Sequence, residues 1–248
     1  MKTLKESILN RSSHGVKGFE VQRRELIEKW LKEYNIKDYT INDDSTIDVD
    51  GTVYLFRRGL TELPDYIKFN IVKGDFYCMH DRLTSLKGFP VEVGGKVYIN
   101  DNQLTSLKGP LKKVGRGLNC SYNLLTTLDG IPQIEGSDLY CNHNQLVSLK
   151  GCPERVKDFD CSYNNLTSLE GMPKRVKSTN CSYNNLTSLE GMPKKIKEDF
   201  NCSDNKLTSL KGAPKEVGGN FSCVHNNLTS FTEKDVRAVC KVGGKINV

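Results

Sequence analysis

The chain is poor in tryptophan and histidine, with one and four among 248 residues. It contains no CxxC pair, which removes the usual zinc-ribbon and redox spacings. No glycine-rich loop ends in Lys-Ser or Lys-Thr, so a phosphate loop is missing, and no motif assembles Ser, His and Asp. No apolar run approaches the ~18 residues that a membrane-spanning helix needs. The opening MKTLKESILNRSSHG lacks the apolar core of a secretory signal, which predicts a cytoplasmic protein with reduced thiols. A strong charge bias is missing too: 36 basic and 30 acidic residues leave +6, too little to imply nucleic acid alone. What is left is a globular, non-membrane chain. It gives no catalytic residue, no cofactor and no metal site, and is expected not to be an enzyme.

What the chain does have is repetition. The segments DCSYNNLTSLEGMPKRVK and NCSYNNLTSLEGMPKKIK, beginning at Asp160 and Asn180, are near copies. Extending their register gives a ladder of Leu55, Cys78, Ile99, Cys120, Cys141, Cys161, Cys181, Cys202 and Cys223. After a longer first step the spacing is 20 or 21 residues. A leucine follows five positions later in every unit, from Leu60 to Leu228, and another apolar residue three positions after that, from Leu63 to Phe231. All eight prolines fall in the turn that comes next. Neither a heptad nor a βαβ unit produces this period, so the chain reads as a solenoid.

The pattern resembles the leucine-rich repeat, LxxLxLxxNxLxxL. Val156, Phe159, Cys161, Asn164, Leu166 and Leu169 match it position for position. The short period and the NxLTSLxGxP ending are similar to the compact repeats of bacterial effectors and of proteins encoded by bacteria and their phages. The resemblance covers residues 51–231. It implies an α/β repeat solenoid with a parallel sheet on a concave face, a bacterial or phage origin, and a binding role. The column from Asn102 to Asn226 is expected to satisfy backbone groups where each strand turns away. Arg58 and Asp81 replace that Asn in the first two units, as terminal repeats often depart from consensus.

Outside the repeats, residues 1–18 are expected to be a flexible N-terminus. Residues 19–50 read as a cap: a helix from Phe19 to Asn35 with Val21, Leu26, Ile27, Trp30 and Leu31 at helical spacing, then a hairpin turning at Asp43–Thr46. Residues 232–248 read as a C-terminal cap, in which Thr232-x-x-Asp235 starts a short helix carrying Val236, Val239 and Cys240. Gly243-Gly244 is expected to stop that helix, and KINV to add a final strand.

Nine cysteines invite chemistry, but seven occupy one core column where a small, soft side chain packs well. Cys240 is the least constrained and the expected reactive exception. His80, His143 and His225 share the second position after the core residue, beside Tyr122, Tyr163 and Tyr183, and stand too far apart for a metal or relay.

Function therefore falls to the surface. Strand alternation points Tyr54, Tyr77, Tyr98 and Tyr140 outward before the core residue, and Phe56 and Met79 outward after it. These six form the predicted partner-binding site on the concave face, for a protein of unidentified kind. The C-terminal half of that face reads as small and polar. Residues 1–18 are the competing cover for the aromatic patch. The alternative function is polyanion or nucleic-acid binding by a basic convex stripe that includes Lys174, Arg175, Lys177, Lys194, Lys195 and Lys197.

Overall fold

The structure is a computed structural model that describes residues 20–134, 136–227 and 232–248. The expected N-terminal segment 1–18, and the last ladder positions Leu228 and Phe231, lie outside those residues. The expected solenoid is present, as a right-through parallel β architecture. Ten short strands stack in sequence order, from Val53–Tyr54 through Val156–Asp160 to Ile246–Asn247. In the nine repeat units the strand ends on the residue before the ladder position rather than centring on it, as at Phe200–Asn201 before Cys202. The backbone ladder nevertheless continues past the strand, with the Cys181 amide donating to the Asn201 carbonyl at 2.9 Å.

A second parallel sheet, which the repeat pattern did not announce, forms the return side of each turn. It starts from the antiparallel hairpin of β1 (Tyr39–Ile41) and β2 (Ile47–Val49) and continues through Phe69–Val72, Glu92–Val93 and Lys113–Val114. A separate three-stranded return sheet of Lys195–Ile196, Glu216–Val217 and Lys241–Val242 follows, with isolated bridges Lys113–Gln133, Arg155–Arg175 and Val176–Ile196 in the turns between. Inward residues of the return side, among them Val72, Val93, Val114, Ile196 and Val217, are buried in one cluster with the Cys and Leu columns. The return is thus β-structured, and among the described residues helix is confined to the two ends.

The N-terminal cap helix, α1, spans 20–33. Only a narrow stripe of it is buried: Ile27, Trp30 and Leu31. Val21 and Leu26, expected on that stripe, are 58% and 49% exposed because one helix laid on one end of a solenoid meets neighbours along a single line. Trp30 stacks on Tyr34 at 4.3 Å and meets Phe69 edge-on at 6.3 Å, and Phe69 continues to Phe76 and Phe89. Aromatic pairs of this geometry add stabilisation beyond their burial.

The C-terminal helix α2 (Glu233–Val239) starts with the expected capping box between Thr232 and Asp235. It buries Val236 but leaves Val239 exposed. Gly243 and Gly244 do not stop it; they turn the chain between the last strands of the two sheets. The same Gly-Gly corner occurs at Gly94-Gly95 and Gly218-Gly219. A Cβ on Gly95 or Gly219 would overlap the carboxylate of Asp75 or Asp199, which accepts the next backbone amide at 2.7 Å.

The Asn column performs as expected. Asn184 accepts from the Leu166 amide at 3.0 Å and donates to the carbonyls of Cys161, Cys181 and Ser182 at 3.1 Å each. The same four-bond set recurs at Asn164 and Asn205.

Candidate binding surface

In-register pairing puts equivalent residues of successive turns on top of one another. Tyr54 pairs with Tyr77 and Tyr77 with Tyr98. Their rings therefore stack, with centroids 5.0 and 4.7 Å apart and planes within 12°. Phe56 meets Tyr54 edge-on at 6.4 Å. Tyr54 and Phe56 are 53% and 40% exposed, while Tyr77, Met79 and Tyr98 are half-buried. Tyr77 donates its hydroxyl to Asp75 at 3.2 Å, and burial together with that carboxylate pushes its phenol up to about 12. Five of the six predicted site residues thus form one patch. Tyr140 does not join it, because Asn119 occupies the intervening turn and interrupts the stack.

The C-terminal half of this face is not merely small and polar. Ser121, Ser162, Ser182 and Ser203, which follow the core residue on the small, polar half of that face, are buried. In three of these turns the hydroxyl folds back on the preceding outward residue, as Ser162 does on Asp160 at 2.6 Å and Ser182 on Asn180 at 2.7 Å. Between Tyr140 and Ser222 the face holds a groove of about 460 Å³ whose acidic lining is Asp158, Asp160 and Asp199.

Beside it runs a second aromatic row. Tyr122, His143, Tyr163 and Tyr183 stack at 4.1 Å with planes about 10° apart. All four residues hold a left-handed backbone, with φ between 51° and 53°. The signal was visible in the sequence as rings at one fixed offset after the core Cys. His80 and His225, at the same offset, instead face Asp101 at 3.5 Å and Asp204 at 3.1 Å in their neighbouring turns. Among the described residues no three His, Cys, Asp or Glu side chains are grouped to hold a metal.

The cysteines are all unpaired thiols. Burial pushes Cys120 and Cys181 up to about 12, and Cys141, Cys161 and Cys202 well above the ordinary thiol range. A thiol held protonated is a poor nucleophile. Cys240 is not the expected exception: it is 2% exposed, and burial raises its pKa as well. Cys152, in the Gly-Cys-Pro turn, is the one partly buried thiol.

The basic residues of the alternative reading come together on the return side. Lys174, Arg175, Lys177, Lys194, Lys195 and Lys197 all line one groove of about 680 Å³. No helix among the described residues is long and apolar enough to cross a membrane. No family model matches the chain, and no curated protein is significantly similar to it. Its function must be argued from its surfaces.

Proposed function

We propose that this chain is a non-enzymatic binding module of the leucine-rich-repeat type, working in the cytoplasm of a bacterium or a phage-infected bacterium. It engages a protein partner through the outer face of the ten-stranded sheet and acts as an inhibitor or adaptor. The observation that supports this is the patch of Tyr54, Phe56, Tyr77, Met79 and Tyr98, held at fixed spacing by strand register. Tyrosine and phenylalanine bury large area at low entropic cost and dominate interface hot spots. A rigid sheet adds to this, because little ordering remains to be done on association.

The test places a photo-crosslinking amino acid at Phe56 and identifies the protein captured from native lysate. The affinity of that protein is then measured for Tyr54→Ala and Tyr98→Ala. Tyr77 is left in place because its hydroxyl is tied to Asp75. Each alanine is expected to weaken binding by about 2 kcal/mol, roughly thirtyfold, while the unfolding midpoint stays near that of the parent. Unchanged affinity, or loss of the fold, would refute the site.

A further inference from the structure

The return face carries a feature that partner binding through the main sheet does not use. Towards the ends of this face, charges alternate from turn to turn. Lys113 stands opposite Glu92 and pairs with it at 2.6 Å, and Lys195 stands opposite Glu216 at 2.8 Å. In the middle the alternation fails. Arg155 is the direct bridge partner of Arg175, and Lys195 follows one turn later. Two residues further along each turn, Lys157, Lys177 and Lys197 make a second row of three cations. Like charges directly opposite one another in a sheet are destabilising. The solenoid tolerates here what it avoids a turn away.

These two rows flank the 680 Å³ groove, with Val156 and Val176 between them and Lys174 and Lys194 completing its charged lining. Four of the eight cations have acidic partners: Lys157 with Asp138, Lys174 with Glu154, Lys177 with Glu198, and Lys195 with Glu216. Positive charge remains in excess, centred on Arg155 and Arg175. No aromatic ring lines the groove, so it lacks the stacking platform that single-stranded nucleic-acid sites use. Its three turns extend only about 10 Å along the axis at sheet spacing. That is short for a long polymer and sufficient for a compact one.

We infer that this groove binds the clustered phosphates of a small polyanion, with the adjacent guanidinium groups of Arg155 and Arg175 as its principal contacts. Arginine forks match phosphate oxygens two at a time. A bound anion would also remove the repulsion between the two rows.

Isothermal titration of the full chain with inositol hexakisphosphate, tripolyphosphate, inorganic phosphate and a single-stranded oligonucleotide tests this. The two clustered phosphates are expected to bind at physiological salt, to weaken steeply as salt rises, and to outcompete both inorganic phosphate and the oligonucleotide. Arg155→Gln with Arg175→Gln should weaken them at least about tenfold, whereas Lys112→Gln with Lys211→Gln, on other parts of the solenoid, should not. Without ligand, the double arginine variant should melt at the same or a higher temperature, because repulsion has been relieved. Failure of both clustered phosphates to bind, or binding indifferent to the arginines, would overturn the inference. So would a lower ligand-free melting temperature, which would mean that the arginines serve packing. Tighter binding of the oligonucleotide through the same arginines would reassign the groove to nucleic acid.

Discussion

Asn184→Ala puts the repeat architecture itself at risk. Asn184 is 7% exposed, and its amide serves two turns at once. The four lost contacts are not equivalent, and the three to carbonyls share the two hydrogens of one side-chain amide. The Leu166 amide has no other acceptor among the described residues, so it becomes a buried orphan, a loss worth about 2 kcal/mol. The three carbonyls keep a second donor: Cys161 keeps Asn164, Cys181 keeps Asn205, and Ser182 keeps the Tyr163 amide. Each of those losses belongs at the low end of the net range, about 0.5 kcal/mol. The expected cost is therefore about 3 to 4 kcal/mol, and it would be larger if every partner were orphaned.

The assay is urea unfolding followed by far-ultraviolet circular dichroism. Fluorescence of the single tryptophan, Trp30, run in parallel, reports on the N-terminal cap. Solenoids can lose turns independently, so the two probes should separate if the change melts the C-terminal turns first. The neighbouring Asn165→Ala is the control. Asn165 is exposed, and among the described residues its side chain makes no hydrogen bond, so its loss should stay within about 0.5 kcal/mol. If Asn184→Ala costs less than about 1 kcal/mol, or no more than Asn165→Ala, the inter-turn role of the Asn column is refuted.

Further outcomes follow from the core. Thr179 occupies the inward position that Phe159 and Phe200 hold in adjacent turns, and its buried hydroxyl has no partner; Thr179→Val should raise stability by about 1 kcal/mol in thermal unfolding. The thiols of the Cys column should resist alkylation at neutral pH until the chain unfolds, with Cys152 the first to react. Because Cys120 and Cys181 hold their protons up to about 12 where an unfolded thiol loses its own near 9.0, folded stability should be intact below pH 9 and decline as pH climbs towards 12. Cys181→Asp should unfold the chain, while Cys181→Ala should cost far less.

The sequence disclosed what nine units repeat. The Cys column, the leucines and the Asn column each recur with one dominant residue type at a spacing of 20 or 21 residues, so a single alignment of the chain on itself exposes them. Beyond its first strands the return side contributes only isolated bridges and two-residue strands, such as Glu92–Val93 and Glu216–Val217. One buried valine between two charged or glycine residues gives alternation no length over which to be read. Val21 and Leu26 misled for a different reason. Helical spacing shows which residues share a face, not how wide a neighbour that face will find. The burial of Ser162 and Ser182 was hidden because it comes from a side-chain hydrogen bond two residues long rather than from hydrophobicity. Cys240 looked unconstrained in sequence because it belongs to no column, yet the last turn of the return sheet covers it.

The two aromatic rows differ in what they leave unsatisfied. A non-glycine residue in the left-handed region costs about 1 kcal/mol or more. Tyr122, His143, Tyr163 and Tyr183 recover a comparable amount through three stacked contacts at 4.1 Å. At the C-terminal end of that row Tyr163, and after it Asp204, hold the Tyr183 phenol above its ordinary value. The row can thus be sustained by its own turns. The Tyr54–Tyr77–Tyr98 row is closed differently. Its far end meets Asn119, but its near end is Tyr54, on the edge strand of the sheet. Among the described residues that ring stacks on one side only, with Phe56 beside it presenting an edge. An incoming ring or aliphatic side chain could extend this row by one more member at the spacing the strands already impose. If the proposed site is right, Tyr54→Ala should weaken partner binding at least as much as Tyr98→Ala, because Tyr54 is the most exposed of the stacked tyrosines.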